Sequence, residues 1–563
     1  MKAEKIINNG KLYSVLMDGS EIRAEALAIA DGRILSLGTN EEISQLVGPD
    51  TEVIDAGGNT VLPAFTDSHC HSSCSGSKLF SCDLFGLPGK ATDAMKELKS
   101  RLAAYVKANP DAEIIKGCGW DFAVLGTKAD RKILDEICSD RPVALESYCQ
   151  HHLWVNTKAL EHARITDEIE DVKDGSIHRD KKGRLTGVFS EFSAMDLLKS
   201  RIPDYDYSVE EYKEIIRKYQ TDFANAYGVT MIFDALSSAN AKEAFRQMAQ
   251  AEQLTIRICD NEYADPTKPM SQFDDMIARK GQADVDDLYR VTTVKFFMES
   301  NIPDMCFLKP YKPLAMLAFG KPIGYKGYLF WDKEELQQII PKLVQAGFQI
   351  HTHAMGDGAV KQTVDAYEYG YKSTGIDSRN VIAHLMLVDD EDYSRMADCH
   401  TLACVQPRWM AMTKSEMSSC RLALGNRVEN FHPYRRFLDA GVIVSAGTDF
   451  PVTPPPDPFI DIEHAMTRTL SEGAPEYDGK GAVLAPKHDP DIDKVSLKEA
   501  IKSRTISGAY QCFAEDFTGS LEVGKSADII ILDTDIENVP AQDIHKTNVN
   551  YTLFKGNIVY QAL

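Results

Sequence analysis

The sequence predicts an α/β chain with β-rich ends, on three observations. Through the middle, apolar strand candidates alternate with amphipathic helix candidates, the pattern of a βα barrel or an open parallel sheet. Each of those strands stops on a polar or ionisable residue. Residues 1–60 and 519–563 instead hold short strands separated by turn signals.

The ends come first. Segments 26-ALAIADGRILSLG-38 and 52-EVIDAGG-58 at one terminus match 519-GSLEVGKSADIIILDTD-535 and 549-VNYTLFKGNIVYQ-561 at the other. Neither end has enough apolar residues for a core of its own. They are therefore expected to pair into one small discontinuous β-sandwich, residues 1–60 with 519–563, around a catalytic body at 61–518.

That body opens on 61-VLPAFTDSHCH-71, read as one strand ending in His-x-His. Alternation in a strand puts His69 and His71 on one face with Asp67, and Cys70 on the other. Further strands are expected at 229–235, 291–300, 347–357, 380–387, 401–407 and 441–449, with helices at 209–227, 333–347 and 389–399. Their polar ends are Asp234, Lys295 and Glu299, His353, His384, Gln406 and Asp449. In a (β/α)₈ barrel every strand opens on the same face, so these residues converge although they lie hundreds of positions apart. His69 and His71 then read as the first two ligands of a metal site at the barrel mouth. The stretch of about 74–205 is too long for one βα connection and is expected to be an insertion roofing that mouth. From it, His152, Trp120 and Asp121 are candidate pocket residues, as are Glu299 and Gln406 from the barrel.

Composition bounds the function. A chain of 563 residues exceeds one ordinary core. A net charge of −22 excludes phosphate-backbone binding, so no nucleic acid is expected. No apolar run is long enough for a membrane span, and the N-terminus has no signal-type apolar core. The twelve cysteines are scattered without CxxC pairs, which suits a cytoplasmic protein. The expected partner is a small-molecule substrate, and a homodimer is compatible with the sequence.

The ordered set HxH, Lys, His, His, Asp resembles the ligand pattern of the amidohydrolase superfamily. Segments 117-GCGWD-121, 141-RPVALES-147, 152-HLWVNTKAL-160, 183-GRLTGVFSE-191, 353-HAMGD-357, 447-GTDFPV-452 and 519-GSLEVGKSAD-528 are similar to its large branch that includes N-substituted formamide deformylases. The resemblance covers nearly the whole chain. It implies a distorted (β/α)₈ (TIM) barrel, with metal ligands His69, His71, Lys295, His353, His384 and Asp449. It also implies one or two divalent ions, Zn²⁺ foremost, and a CO₂-derived carbamate on Lys295. His351, on the same face as His353 but outside the HAxGD motif, reads as a spectator one layer deeper. Two features depart from the branch pattern: His351 itself, and Glu299-Ser300-Asn301 where relatives often carry Asp-Gly.

The implied activity is metal-dependent hydrolysis of a non-peptide C–N bond, an amide or an N-formyl or N-acyl group. Metal-activated hydroxide attacks, and Asp449 handles both proton steps. The alternatives are a deaminase or lactonase on the same site, or a metal-free regulatory or assembly protein.

Overall fold

The computed structural model describes residues 2–562 except 173–174, 454, 475, 478 and 480–492. Eight parallel strands form its centre: β1 (Phe65–Cys70), β2 (Val229–Asp234), β3 (Arg257–Tyr263), β4 (Tyr289–Phe297), β5 (Gln349–Ala354), β6 (Val381–His384), β7 (Leu402–Val405) and β8 (Val444–Ala446). They are hydrogen-bonded in sequence order, β1 to β2 through β7 to β8. The turn past β8 returns to β1: the Asp449 N–H donates to the His69 carbonyl at 2.8 Å, and the Thr448 N–H to Asp67 Oδ1 at 2.9 Å. The contact is close because Gly447 has no side chain. A Cβ there would lie 2.6 Å from the His69 Cβ and backbone nitrogen.

The helices follow from capping and spacing. Lys333–Gln345 starts on an Asp332/Glu335 capping box and buries Leu336, Ile339, Ile340, Leu343 and Val344, one face at helical period. Val209–Tyr219 starts on Ser208/Glu211 and buries Tyr212, Ile215, Ile216 and Tyr219. Both faces pack into the large apolar cluster around the barrel.

Two expectations about strands are corrected. The 61–71 segment is two strands in two sheets. Thr60–Pro63 pairs with Ile529–Leu532, and the barrel strand starts only at Phe65. Strand β3 is absent from the sequence-based set because RICDNEY is mostly polar. Its Arg257 is buried and satisfied by Asp528 at 2.5 Å and Asp287 at 2.9 Å, so a charge sits where the pattern demands an apolar residue.

The chain ends form two sheets. One runs Arg33–Gly38, Ala26–Ala30, Lys5–Asn8, Glu52–Asp55. The other runs Asn557–Gln561, Val549–Phe554, Ile529–Leu532, Thr60–Pro63, Lys11–Val15, Glu21–Ala24, so both termini share one sheet. Ile7, Leu27 and Ile29 from the first join Leu12, Val61, Ile529 and Leu553 from the second in a single apolar cluster.

Between β1 and β2 lies a six-stranded sheet, ordered Ser176–Arg179, Leu185–Ser190, His152–Val155, Val143–Ser147, Ile115–Trp120, Cys82–Asp83. It has apolar clusters of its own on Trp120, Trp154 and Leu98 and on Leu153, Phe189 and Met195. Its antiparallel pair His152↔Ser190 sets His151 beside Glu191, whose N–H donates to the His151 carbonyl at 2.8 Å.

Candidate metal centre at the barrel mouth

The first strand supplies His69 at its end and His71 just past it. The turn after β8 supplies Asp449. Asp449 Oδ1 lies 3.4 Å from His69 Nε2 and 3.3 Å from His71 Nε2. Each of the three offers a ligand atom, and those atoms all lie within 4.8 Å of one another. His384 and His353 continue the cluster: the His384 ring centre is 4.8 Å from that of His69 and 4.5 Å from that of His353. Pairing in the sheet sets Lys295 opposite His351 and Phe297 opposite His353, so Lys295 lies one pleat deeper than His353.

The positions are held by backbone strain and hydrogen bonds. His384 and Asp449 take φ of +79° and +58°, left-handed values that non-glycine residues seldom adopt. Such conformations cost on the order of 1–3 kcal/mol each and persist only where surrounding structure enforces them. Gln406 Oε1 accepts from His384 Nδ1–H at 2.9 Å, and the Trp409 indole stacks on the His384 ring at 5.2 Å. His351 is no spectator, which corrects the sequence-based expectation. It is fully buried, and its Nε2 lies 2.8 Å from His69 Nδ1, so it fixes the His69 ring.

Burial sets the protonation states. It pushes the pKa of His69, His351 and His353 far down, aided by the Lys295 charge, and takes His384 to about 4. Lys295 is brought down to about 7 by burial, against the opposing pull of Asp449. Burial works against an ionised Asp449, but the neighbouring His71 and His384 imidazoles outweigh it and hold its pKa below the usual range. The result is neutral imidazoles at His69, His351, His353 and His384 beside an ionised Asp449.

This donor set fits a divalent cation. His69 Nε2, His71 Nδ1, His353 Nε2, Asp449 Oδ1 and Lys295 Nζ are buried and lack a hydrogen-bond partner among the described residues. Buried polar atoms are nearly always paired, so unpaired atoms on residues of one cluster suit a further bonding partner.

The other predicted pocket residues fare unevenly. Trp120 is corrected: it is fully buried in the inserted sheet's core, its indole N–H donating to the Leu145 carbonyl at 2.8 Å, because enclosing its large apolar surface wins over lining a wet mouth. Asp121 is an N-cap, accepting from the Ala123 N–H at 2.7 Å. His152 is stacked on Phe122 at 3.8 Å and bonded to Ser190 at 2.8 Å. Its neighbour His151 is the histidine that reaches the cluster, 6.3 Å from the His353 ring. Glu299 is fully buried and accepts the N–H groups of Cys306, Met355 (2.5 Å) and Gly356 (2.7 Å), so it ties the β4 and β5 loops together. Gln406 touches His384, as described. Sequence reasoning missed Trp409, His151 as distinct from His152, and Glu191. The only signal for the last two was the strand-end placement of HH and of VFSE.

Comparison with known proteins bears on the family and the fold. The model of the amidohydrolase family matches residues 52–560. The chain is 24% identical to the N-substituted formamide deformylase of Arthrobacter pascens, over 97% of this chain and 96% of that one. It is 25% identical to the putative amidohydrolase YtcJ of Bacillus subtilis (strain 168), over the full length of both. A crystal structure of an uncharacterized metal-dependent hydrolase from Pyrococcus horikoshii OT3 superposes with a TM-score of 0.72 at 24% identity, covering 95% of this chain and 99% of that one.

Proposed function

Because the chain belongs to the amidohydrolase family, we propose that it hydrolyses an amide, N-formyl or N-acyl C–N bond of a small molecule at the cluster around His69, His71 and Asp449. At the coarser level it is a metal-dependent hydrolase of non-peptide C–N bonds. The finer reading rests on one observation: the buried His69, His71 and Asp449 bring ligand atoms within 4.8 Å of one another at the mouth, and His69 Nε2 and Asp449 Oδ1 have no hydrogen-bond partner among the described residues. The formamide substrate in the name of the Arthrobacter relative supports the N-formyl choice.

His69, His71 and Asp449 would hold one ion, and His353 and His384 with Lys295 would hold a second. Nitrogen and carboxylate donors suit Zn²⁺ first. A bound divalent ion supplies a Lewis acid and lowers the pKa of water to about 7. Lys295 supports a carbamate reading: its Nζ is buried and unpaired, and a pKa of about 7 leaves much of it as the neutral amine that reacts with CO₂. Neither Glu299 nor Glu191 is its partner, since both carboxylates are engaged elsewhere.

The chain's own residues then divide the work. Asp449, ionised at the mouth, accepts the proton of the attacking water on a carboxylate oxygen. An amine cannot leave as an anion, so the departing nitrogen needs a proton as well. Trp409 beside His384 gives an apolar wall for the substrate body. We read residues 1–63 with 519–563 as one composite sandwich and 64–518 as the barrel with its insertion.

The test is a screen of N-formyl and N-acyl amines with zinc-loaded protein, identifying the products. Release of free amine and acid supports the reading. Release of ammonia from cyclic amidines, or lactone opening with inert amides, would replace it.

A further inference from the structure

We propose that His151 is a catalytic residue for the leaving nitrogen, held by Glu191 and Ser300 as positioning residues. The assignment rests on the amide reading and names the group that completes it.

Three observations carry the inference. The first is a relay of buried side chains that crosses from the insertion to the barrel. His151 Nδ1 lies 2.8 Å from Glu191 Oε2, and the Ser300 hydroxyl donates to Glu191 Oε1. All three residues are buried, although the insertion could have kept a carboxylate and an imidazole in water.

The second is backbone strain. Glu191 has φ +69° and ψ 157°, a region that glycine occupies and side chains avoid. The strain turns the carboxylate towards His151 and Ser300. A carboxylate serving stability alone would gain nothing from that conformation.

The third is placement. The His151 ring lies 6.3 Å from that of His353, whose ring is 4.5 Å from that of His384. His151 thus stands beside the cluster that holds Asp449. Amide hydrolysis sets two proton tasks there, a base for the attacking water and an acid for the departing group. With Nδ1–H given to Glu191, Nε2 is the nitrogen that serves substrate.

The step balances. As the C–N bond breaks, its electron pair goes to nitrogen, which takes the proton from His151 Nε2. Asp449 releases to solvent the proton taken from the attacking water, and solvent returns one to His151. One water is consumed, and an acid and a free amine are formed.

The test uses para-substituted formanilides, whose leaving amines differ in basicity, with wild type, His151→Gln and Glu191→Gln, each assayed for metal content. In wild type, kcat should depend weakly on leaving-group basicity. In H151Q it should fall about 10²–10³-fold for electron-rich anilines and far less for the nitro compound, with metal content unchanged. E191Q should show a smaller loss of the same kind, in kcat rather than KM. Glu191→Gly adds a readout that a structural role would not give: relieved strain should hold or raise Tm while the rate falls. An H151Q protein equal to wild type, slowed equally on every anilide, or stripped of metal would overturn the assignment alone. Wild-type inertness to the whole series would overturn the amide reading and this assignment with it.

Discussion

On the proposed reading, Lys295 decides how many cations the mouth holds. Its ammonium is buried among imidazoles with no partner, an arrangement that is costly unless the amine is neutral or modified. A carbamate brings two oxygens and a negative charge, enough to bridge ions roughly 3.5–4 Å apart. Lys295→Ala should therefore lower metal content from two per chain to one or none and abolish hydrolysis, with partial rescue by short carboxylic acids. Elemental analysis of both proteins is the check, and full metal retention would sink the bridging role. The residues at this scale were unevenly legible. His69, His71, His353, His384 and Asp449 stood out because each ends an apolar run. His351 shares that pattern, so only its 2.8 Å approach to His69 Nδ1 reveals what it does. His151 and Glu191 meet through a strand register inside the insertion, which no local spacing announces.

At the level of elements, the centre depends on how the last strand returns to the first. Gly447 sits where its neighbour is the backbone of His69, so Gly447→Ala must push β1 and β8 apart. Overpacking of this kind costs about 1–3 kcal/mol. The displaced His69 should also bind metal more weakly. Urea unfolding with zinc titration measures both, and a variant with unchanged midpoint and affinity would show that the closure tolerates a methyl group. The elements themselves were mostly readable, since strands buried on both faces are near-continuous apolar runs. β3 was hidden because Arg257, Asp260 and Glu262 interrupt that run. The split at Ala64 was hidden because two apolar strands follow one another without a turn signal.

Across the whole molecule, acid sensitivity follows from histidines buried neutral outside the metal cluster. His464 is enclosed in helix Pro458–Thr467, where its Nδ1–H donates to the Arg408 carbonyl and its Nε2 accepts from the Ser471 hydroxyl, and burial pushes its pKa down to about 3. In the unfolded chain it titrates near 6.5. Between those values the unfolded state binds the extra proton, so stability falls as pH drops below about 6.5. At pH 5.5 this one group costs about 1.4 kcal/mol. His464 makes Tm decline below pH 6.5, and His464→Gln should make that decline shallower. An equal slope in the variant would assign the acid sensitivity to other groups.

The central claim is a metal centre where the two ends of the barrel meet, and an anomalous difference map at the zinc edge tests it most directly. Crystals of zinc-loaded protein should show a peak about 2.0–2.2 Å from His69 Nε2 and from a His71 ring nitrogen, with an Asp449 oxygen completing the approach. A map without density there, or with zinc bound only at the protein surface, would contradict the account.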